Sequence, residues 1–83
     1  MWTAVLQSVR DPATPNDTLD VDVRYTNSVT NKIIIKGYNL HAAHFSTVRD
    51  FRVLITNELN LLNSFDTFTQ QLTAVVGQQI TPV

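Results

Sequence analysis

The chain has 83 residues, of which 43% are hydrophobic and 16% charged, with a formal net charge of −1 and no cysteine. This length excludes a two-domain organisation, because chains divide into separate cores only when they are much longer. The absence of cysteine excludes disulfides, thiolate zinc sites, iron–sulfur clusters and thiol nucleophiles. We therefore expect one folded domain over residues 1–83.

Charge and hydropathy argue against two classes of partner. Six Lys and Arg residues stand against seven Asp and Glu residues, so the chain has no basic field that attracts nucleic acid or an anionic membrane. No apolar run approaches the ~18–20 residues of a membrane helix, and the N-terminus lacks the pattern of a signal peptide. We expect no membrane partner, and nucleic acid is not favoured.

A first strand is predicted over residues 2–10. Trp2, Ala4 and Leu6 lie on one side of it, and the other side carries Thr3, Val5, Gln7 and Val9. Both sides are partly apolar, which is typical of a strand covered on two faces or of one whose outer face meets a partner. The Pro, Asp and Asn residues over 11–17 predict a loop.

Two further strands are predicted over residues 19–26 and 31–37, with Gly37 as the end of the second. The apolar side chains of the earlier one stand at odd numbers, up to Tyr25. If Ile33 and Ile35 share that face, parity requires a hairpin loop with an odd number of residues, three or five. A five-residue loop pairs Tyr25 with Ile33 and places Ile34 on the outer face.

Residues 47–63 are predicted to form a long amphipathic helix. Thr47 followed by Asp50 resembles a capping box, and apolar residues then recur at spacings of three and four: Val48, Phe51, Ile55, Leu59 and Leu62. Asn63 and Ser64 interrupt the pattern, so residues 65–76 predict a separate short helix or a kinked extension of the first, and residues 78–83 an extended tail. The predicted fold class is α+β, a small two-layer domain with about three antiparallel strands followed by these helices.

No group of side chains predicts catalysis. His41 and His44 lie three residues apart without a third metal ligand. Asp20 and Asp22 share one strand face, which alternation explains without acid–base chemistry. One sheet and one helix also leave little room for a ligand cleft of ~300 Å³. We expect no catalytic residue, no metal, no cofactor and no small-molecule substrate, and so no enzyme.

Four residues are candidates for a protein interface: Trp2, Val5, Ile34 and Tyr38. Trp2 suits either the core or the anchor of an interface. The other three are predicted on the exposed side of the sheet, whose two edges carry little protective charge. A partner could use that face or add a strand to an edge.

Three segments carry a resemblance to a known group of proteins: residues 2–9 (WTAVLQSV), 19–27 (LDVDVRYTN) and 58–65 (ELNLLNSF). Together they resemble short structural-module proteins of tailed bacteriophages. The resemblance implies a virion component of the head, neck, tail or baseplate, synthesised in the bacterial host cytoplasm. Its partners would be other virion proteins and further copies of itself. The resemblance carries no catalytic residue or cofactor.

Two other functions remain open. A small regulatory protein that binds and modulates a host or phage protein would share these features. A nucleic-acid-binding module would use basic residues interleaved with aromatic ones on the sheet. Arg24, Lys32 and Lys36 offer a sparse version of that pattern, but Asp20 and Asp22 oppose it.

Overall fold

The computed structural model describes residues 1–10 and 17–83. The described residues form β1 (Trp2–Arg10), β2 (Thr18–Asn27), β3 (Ile33–His41) and α1 (Val48–Ala74). The strands pair antiparallel in the order β1-β2-β3. The predicted fold class, a three-stranded antiparallel sheet followed by a long helix, is confirmed. The loop predicted over residues 11–17 lies outside the described residues except for Asp17.

The register between β2 and β3 is one residue away from the predicted one. Tyr25 pairs with Ile34, whereas the predicted register pairs Tyr25 with Ile33. Since successive side chains point to opposite faces, this shift exchanges the faces of every β3 side chain. Ile34 therefore lies on the inner face, toward the helix, and the prediction that places it on the outer face is wrong. Ile33 and Ile35 lie on the outer face instead.

Two asparagines set the turn between β2 and β3. The backbone N–H of Asn27 donates to the carbonyl oxygen of Lys32 at 2.9 Å. Asn27 Oδ1 accepts the N–H groups of Val29 and Thr30 at 2.8 and 3.1 Å, a side-chain arrangement that stabilises turns. Asn31 has φ 59°, a left-handed conformation in which asparagine is enriched. This turn holds an even number of residues, so the expectation of an odd-numbered loop is wrong.

A bulge interrupts β1. The pairing shifts between Leu6 and Ser8, which leaves Gln7 as the extra residue. An extra residue reverses the alternation of the side chains that follow it. Val9 therefore pairs with Val21 on the inner face, and its predicted place on the opposite side is wrong.

The third strand continues through Gly37 to His41, although it was predicted to end at residue 37. Gly37 pairs with Asp22, and a Cβ atom at Gly37 would lie 3.4 Å from Asp22 Oδ1. Beyond it, Leu40 pairs with Leu19 on the inner face. The separation of 3.4 Å is an ordinary van der Waals distance, so Gly37 is an in-register member of the ladder and does not end the strand.

The helix α1 begins after Thr47, and the predicted capping box is confirmed. The N–H of Asp50 donates to Thr47 Oγ1 at 3.3 Å, and the N–H of Thr47 donates to Asp50 Oδ2 at 3.1 Å. The N–H of Ser46 donates to the same carboxylate oxygen at 2.8 Å. These bonds satisfy backbone donors that the first helical turn leaves without partners.

The helix continues unbroken for 27 residues to Ala74, so the separate short helix predicted over residues 65–76 is wrong. Asn63 and Ser64 do not interrupt it, because each lowers helix stability by less than about 0.7 kcal/mol relative to alanine. Asn63 also accepts the backbone N–H of Trp2 through Oδ1 at 3.2 Å. Within the described chain, no helix combines the length and apolarity needed to cross a bilayer.

The core lies between the inner face of the sheet and the first half of α1. Three buried side chains form its centre, and partly buried residues pack around them: Trp2, Val23 and Tyr25, then Ala4, Ile34, Tyr38, Phe51, Ile55, Leu59 and Leu62. No residue of α1, all of which is described, is itself buried. A 27-residue helix is about 40 Å long, whereas strands of this length span about 30 Å. The last turns of α1 therefore extend past the sheet.

The molecule is elongated, with dimensions of 55 × 30 × 23 Å and a radius of gyration of 17.2 Å. A compact chain of this length has a radius of about 12 Å. The accessible surface is 6582 Å², whereas a folded monomer of this mass exposes about 5,000 Å². The chain thus exposes roughly 1,600 Å² more than a compact monomer would.

Candidate interaction surfaces

Trp2, the first candidate interface residue, closes one end of the core. Its Nε1–H donates to Asp66 Oδ2 at 2.8 Å, and its side chain is buried. The Nδ2 group of Asn27 donates to the same carboxylate oxygen at 3.0 Å. Of the two places that the sequence left open for Trp2, the structure shows the core.

Tyr38 lies half-buried on the inner face, where its hydroxyl is 2.7 Å from the hydroxyl of the fully buried Tyr25. Burial of Tyr25, with the hydrogen bond to Tyr38, raises the pKa of Tyr25. The predicted place of Tyr38 on the exposed side of the sheet is therefore wrong. Tyr38 and Ile34 both contact the core, so neither belongs to an exposed contact face.

An ion pair between Lys36 and Glu58 joins β3 to α1. The Glu58 side chain keeps only 16% of its accessible surface. Lys36 pairs with Val23 in the sheet and so lies on the inner face, beside the helix. The side of α1 that carries Glu58 therefore faces β3.

The carboxylates that the sequence raised for acid–base chemistry are bonded within the outer face. Asp22 accepts the hydroxyl of Ser8 at 2.6 Å and two guanidinium N–H groups of Arg10 at 3.1 and 3.2 Å. The bonds from Ser8 and then Arg10 lower the pKa of Asp22. Asp20 accepts the Nδ2 group of Asn39 at 2.8 Å. Both carboxylates are held as hydrogen-bond acceptors on an open sheet surface.

The two histidines lie exposed where β3 ends. The backbone N–H of His44 donates to the carbonyl oxygen of His41 at 3.0 Å, so the segment forms a turn. Among residues 1–10 and 17–83, no three His, Asp or Glu side chains are grouped to hold a metal ion.

An open apolar groove of about 410 Å³ lies between the sheet and the start of α1. The fold was expected to leave little room for a ligand cleft of ~300 Å³, and this groove exceeds that volume as an open surface depression. Its lining consists of eight apolar side chains and two hydroxyl-bearing ones: Leu6, Val9, Leu19, Val21, Leu40, Phe45, Val48, Phe51, Ser46 and Thr47. None of these lining groups titrates near neutral pH, so the groove offers apolar contact and no acid–base chemistry.

The outer face of the sheet carries exposed apolar side chains, which we call the outer patch: Val5, Ile33 and Ile35. Val5 pairs with Arg24 and Arg24 pairs with Ile35, so Val5 and Ile35 lie in one row on either side of Arg24. Ile33 lies in the neighbouring row on this face, where it pairs with Thr26. The outer patch residues are 50 to 59% exposed. Val5 is the one predicted interface residue on this face. The sequence argument missed Ile33 and Ile35 because it assigned them to the core.

A second exposed apolar set, which we call the distal stripe, lies along the later turns of α1 and its C-cap: Leu61, Phe65, Phe68, Leu72 and Val75. These residues are 42 to 65% exposed, and the Phe65 and Phe68 rings lie 5.9 Å apart. These residues stand at helical spacing in the sequence, but that spacing does not show that they lack a partner. The length of the helix could not indicate it either, because the predicted helix ends at residue 63 and is no longer than the strands.

Comparisons with known proteins identify no relative. No protein-family model matches the chain, and no curated protein or solved structure matches it. Any function must therefore be argued from the surfaces described above and from the sequence pattern.

Proposed function

We propose that this protein is a structural or adaptor component of a phage virion and acts through protein–protein contacts. The observation that carries the proposal is the accessible surface of 6582 Å², roughly 1,600 Å² above that of a compact monomer. No residue of the 27-residue helix is buried. Helices in proteins owe most of their stability to tertiary packing, so this helix has packing still to gain. A chain with this shape gains stability when partners cover it.

The excess surface matches the area that protein interfaces use. A standard interface takes about 800 Å² from each partner, so the excess is enough for about two contacts. Groups of exposed apolar side chains mark such sites, and the described residues include the outer patch and the distal stripe in addition to the apolar groove. One subunit with two contact surfaces can join more than one neighbour, as an assembly component must.

The outer patch has the chemistry of a contact with another protein. Arg24 lies between Val5 and Ile35, and no carboxylate in the described part of the chain forms an ion pair with it. A complementary surface would therefore present apolar side chains around a carboxylate. In the described sheet β1 and β3 each have one neighbouring strand, so a strand from a partner could also pair with an edge.

The virion context is the finer part of the proposal. Its support is the resemblance of residues 2–9, 19–27 and 58–65 to structural-module proteins of tailed bacteriophages. On this basis the protein is made in the host cytoplasm and joins the head, neck, tail or baseplate. The surfaces described here suit that role, since they offer contact area and no reactive group.

The test is mass spectrometry of purified particles of the phage that encodes the chain. We expect the protein at a fixed stoichiometry, and we expect Ile35→Lys to reduce its incorporation while the isolated variant stays folded. Asn60→Lys, which adds the same charge on the exposed polar side of α1, is the matched control and should incorporate normally. Absence from particles would contradict the proposal and favour the alternative, a regulatory protein that binds one host or phage protein.

A further inference from the structure

The distal stripe has the spacing of a helix-pairing seam. Its residues follow one another at intervals of four, three, four and three, from Leu61 to Val75. This average period of 3.5 is the repeat with which two α-helices pack knobs into holes along their length. A helix with this repeat is complementary to another helix with the same repeat, and so to a second copy of itself.

The chain's own sheet does not cover this seam. Residues that contact the core from α1, such as Phe51, Ile55 and Leu62, lie roughly 100° around the helix axis from the distal stripe, at 3.6 residues per turn. The distal stripe is therefore on a separate flank. Glu58, which precedes Leu61 by three residues on that side, pairs with Lys36, so the flank faces the β3 side of the sheet. A second helix can approach there without displacing the core.

The area of the stripe is close to what a stable dimer needs. Its five residues are 42 to 65% exposed, and the adjoining Val76 is 79% exposed. At about 200 Å² for each residue, which is the value for an aromatic side chain and an upper value for Leu and Val, the six offer at most roughly 700 Å² per copy. A standard interface takes about 800 Å² from each partner. Burial of these side chains against an identical set therefore makes an interface of nearly standard size.

Charge also favours a second copy over a partner helix with charged flanks. From residue 59 to residue 83 the only charged side chain is Asp66, which accepts hydrogen bonds from Trp2 and Asn27. The positions that flank the seam carry Ser64, Thr69 and Gln71, all uncharged. Flanking charges select the partner and orientation of paired helices. Because these charges are absent, two distal stripes can pack together without electrostatic repulsion. A partner helix with charged flanking residues would have no opposite charge to pair with.

We propose that two copies of this chain pair through their distal stripes, with Phe65, Phe68 and Leu72 of one copy packed against the same stripe of the other. The contact is isologous, because the same surface serves both copies. This inference rests on the proposed role in assembly and adds the identity of one partner. The outer patch stays exposed in the pair and available to other proteins.

The test is analytical ultracentrifugation of the full chain from low micromolar to near-millimolar concentration. We expect the wild type to reach twice its monomer mass of 9.3 kDa. Phe68→Glu should raise the dissociation constant by about 30-fold or more, since it removes an aromatic anchor and buries a charge. Thr67→Glu, which adds the same charge at an exposed neighbouring position, is the control and should dimerise like the wild type.

Two results would overturn the inference. One is a wild type that stays monomeric over the whole range, and the other is a Phe68→Glu variant that dimerises as tightly as the wild type. Circular dichroism and Trp2 fluorescence report whether each variant is folded. If Phe68→Glu does not fold, Leu72→Glu, which lies nearer the end of the helix, takes its place as the test of dimerisation. A monomer that is nonetheless found in particles overturns this inference alone. A dimer absent from particles overturns the proposed function alone.

Discussion

The carboxylate of Asp66 accepts the Nε1–H of Trp2 at 2.8 Å, a contact between residues 64 positions apart in the sequence. The same oxygen accepts the Nδ2 group of Asn27 at 3.0 Å. Asp66 therefore joins α1 to both β1 and β2. The other polar atom of the Asn27 side chain, Oδ1, accepts the N–H groups of the β2–β3 turn. Through Asn27 and Trp2, Asp66 therefore connects the helix to the turn and to the N-terminal strand.

Replacement of Asp66 with alanine should lower the free energy of unfolding by about 1–3 kcal/mol, because two donors lose their acceptor in a partly buried place. Asp66→Asn keeps one carbonyl acceptor and should lose less. Urea unfolding followed by fluorescence measures both, since Trp2 is the only tryptophan in the chain. An alanine variant as stable as the wild type would show that the contact does not hold the helix to the sheet.

Much of the fold follows from sequence pattern, because its causes are local. Strict alternation predicts β2, and the Thr47 and Asp50 pair predicts the start of α1. The register of β3 does not follow, because Ile33, Ile34 and Ile35 are chemically the same and either register buries isoleucine. The strand continues to His41, and its even-numbered apolar side chains Ile34, Tyr38 and Leu40 all lie on the inner face. A strand predicted to end at residue 37 leaves out the two of these that distinguish the registers.

The candidate surfaces were only partly predictable for the same reason. Val5 was placed on the outer face correctly, because β1 alternates regularly before its bulge. Ile35 changed faces with the register of β3. Phe65 and Phe68 fit helical spacing whether or not a sheet lies beneath them, so periodicity alone does not distinguish a core stripe from an exposed one.

The two adjacent isoleucines give a direct test of the register. Ile34→Ala should destabilise the fold by about 2 kcal/mol, because Ile34 packs against the core. Ile35→Ala should change stability by less than about 0.5 kcal/mol, because Ile35 is 56% exposed. Thermal or urea unfolding compares the pair. The opposite order of effects would restore the register in which Ile35 faces the core.

The pair of tyrosine hydroxyls predicts an asymmetric response to loss of either one. Tyr38→Phe leaves the buried hydroxyl of Tyr25 without its partner and should cost about 1–3 kcal/mol. Tyr25→Phe leaves the hydroxyl of Tyr38 half-exposed to water and should cost less. The double variant should cost less than the two single variants together, because it leaves no unpaired hydroxyl. Strictly additive losses in a double-mutant cycle would contradict the hydrogen bond.

The pKa shift of Asp50 predicts how stability depends on acidity. The N–H groups of Ser46 and Thr47 lower the pKa of Asp50 below its usual value of 3.8, so folding favours the ionised carboxylate. This contribution is fully present above the unfolded value and is lost as the pH falls through the folded value. Urea unfolding from neutral pH into the acid range should therefore show a smaller loss of stability for Asp50→Asn than for the wild type.

The carboxylate of Asp22 should contribute in the same way, because Ser8 and Arg10 lower its pKa. Asp22→Asn should separately reduce the dependence of the free energy of unfolding on pH, and the double variant should show the smallest loss. An NMR titration that finds the Asp50 carboxyl at or above 3.8 would contradict the capping arrangement.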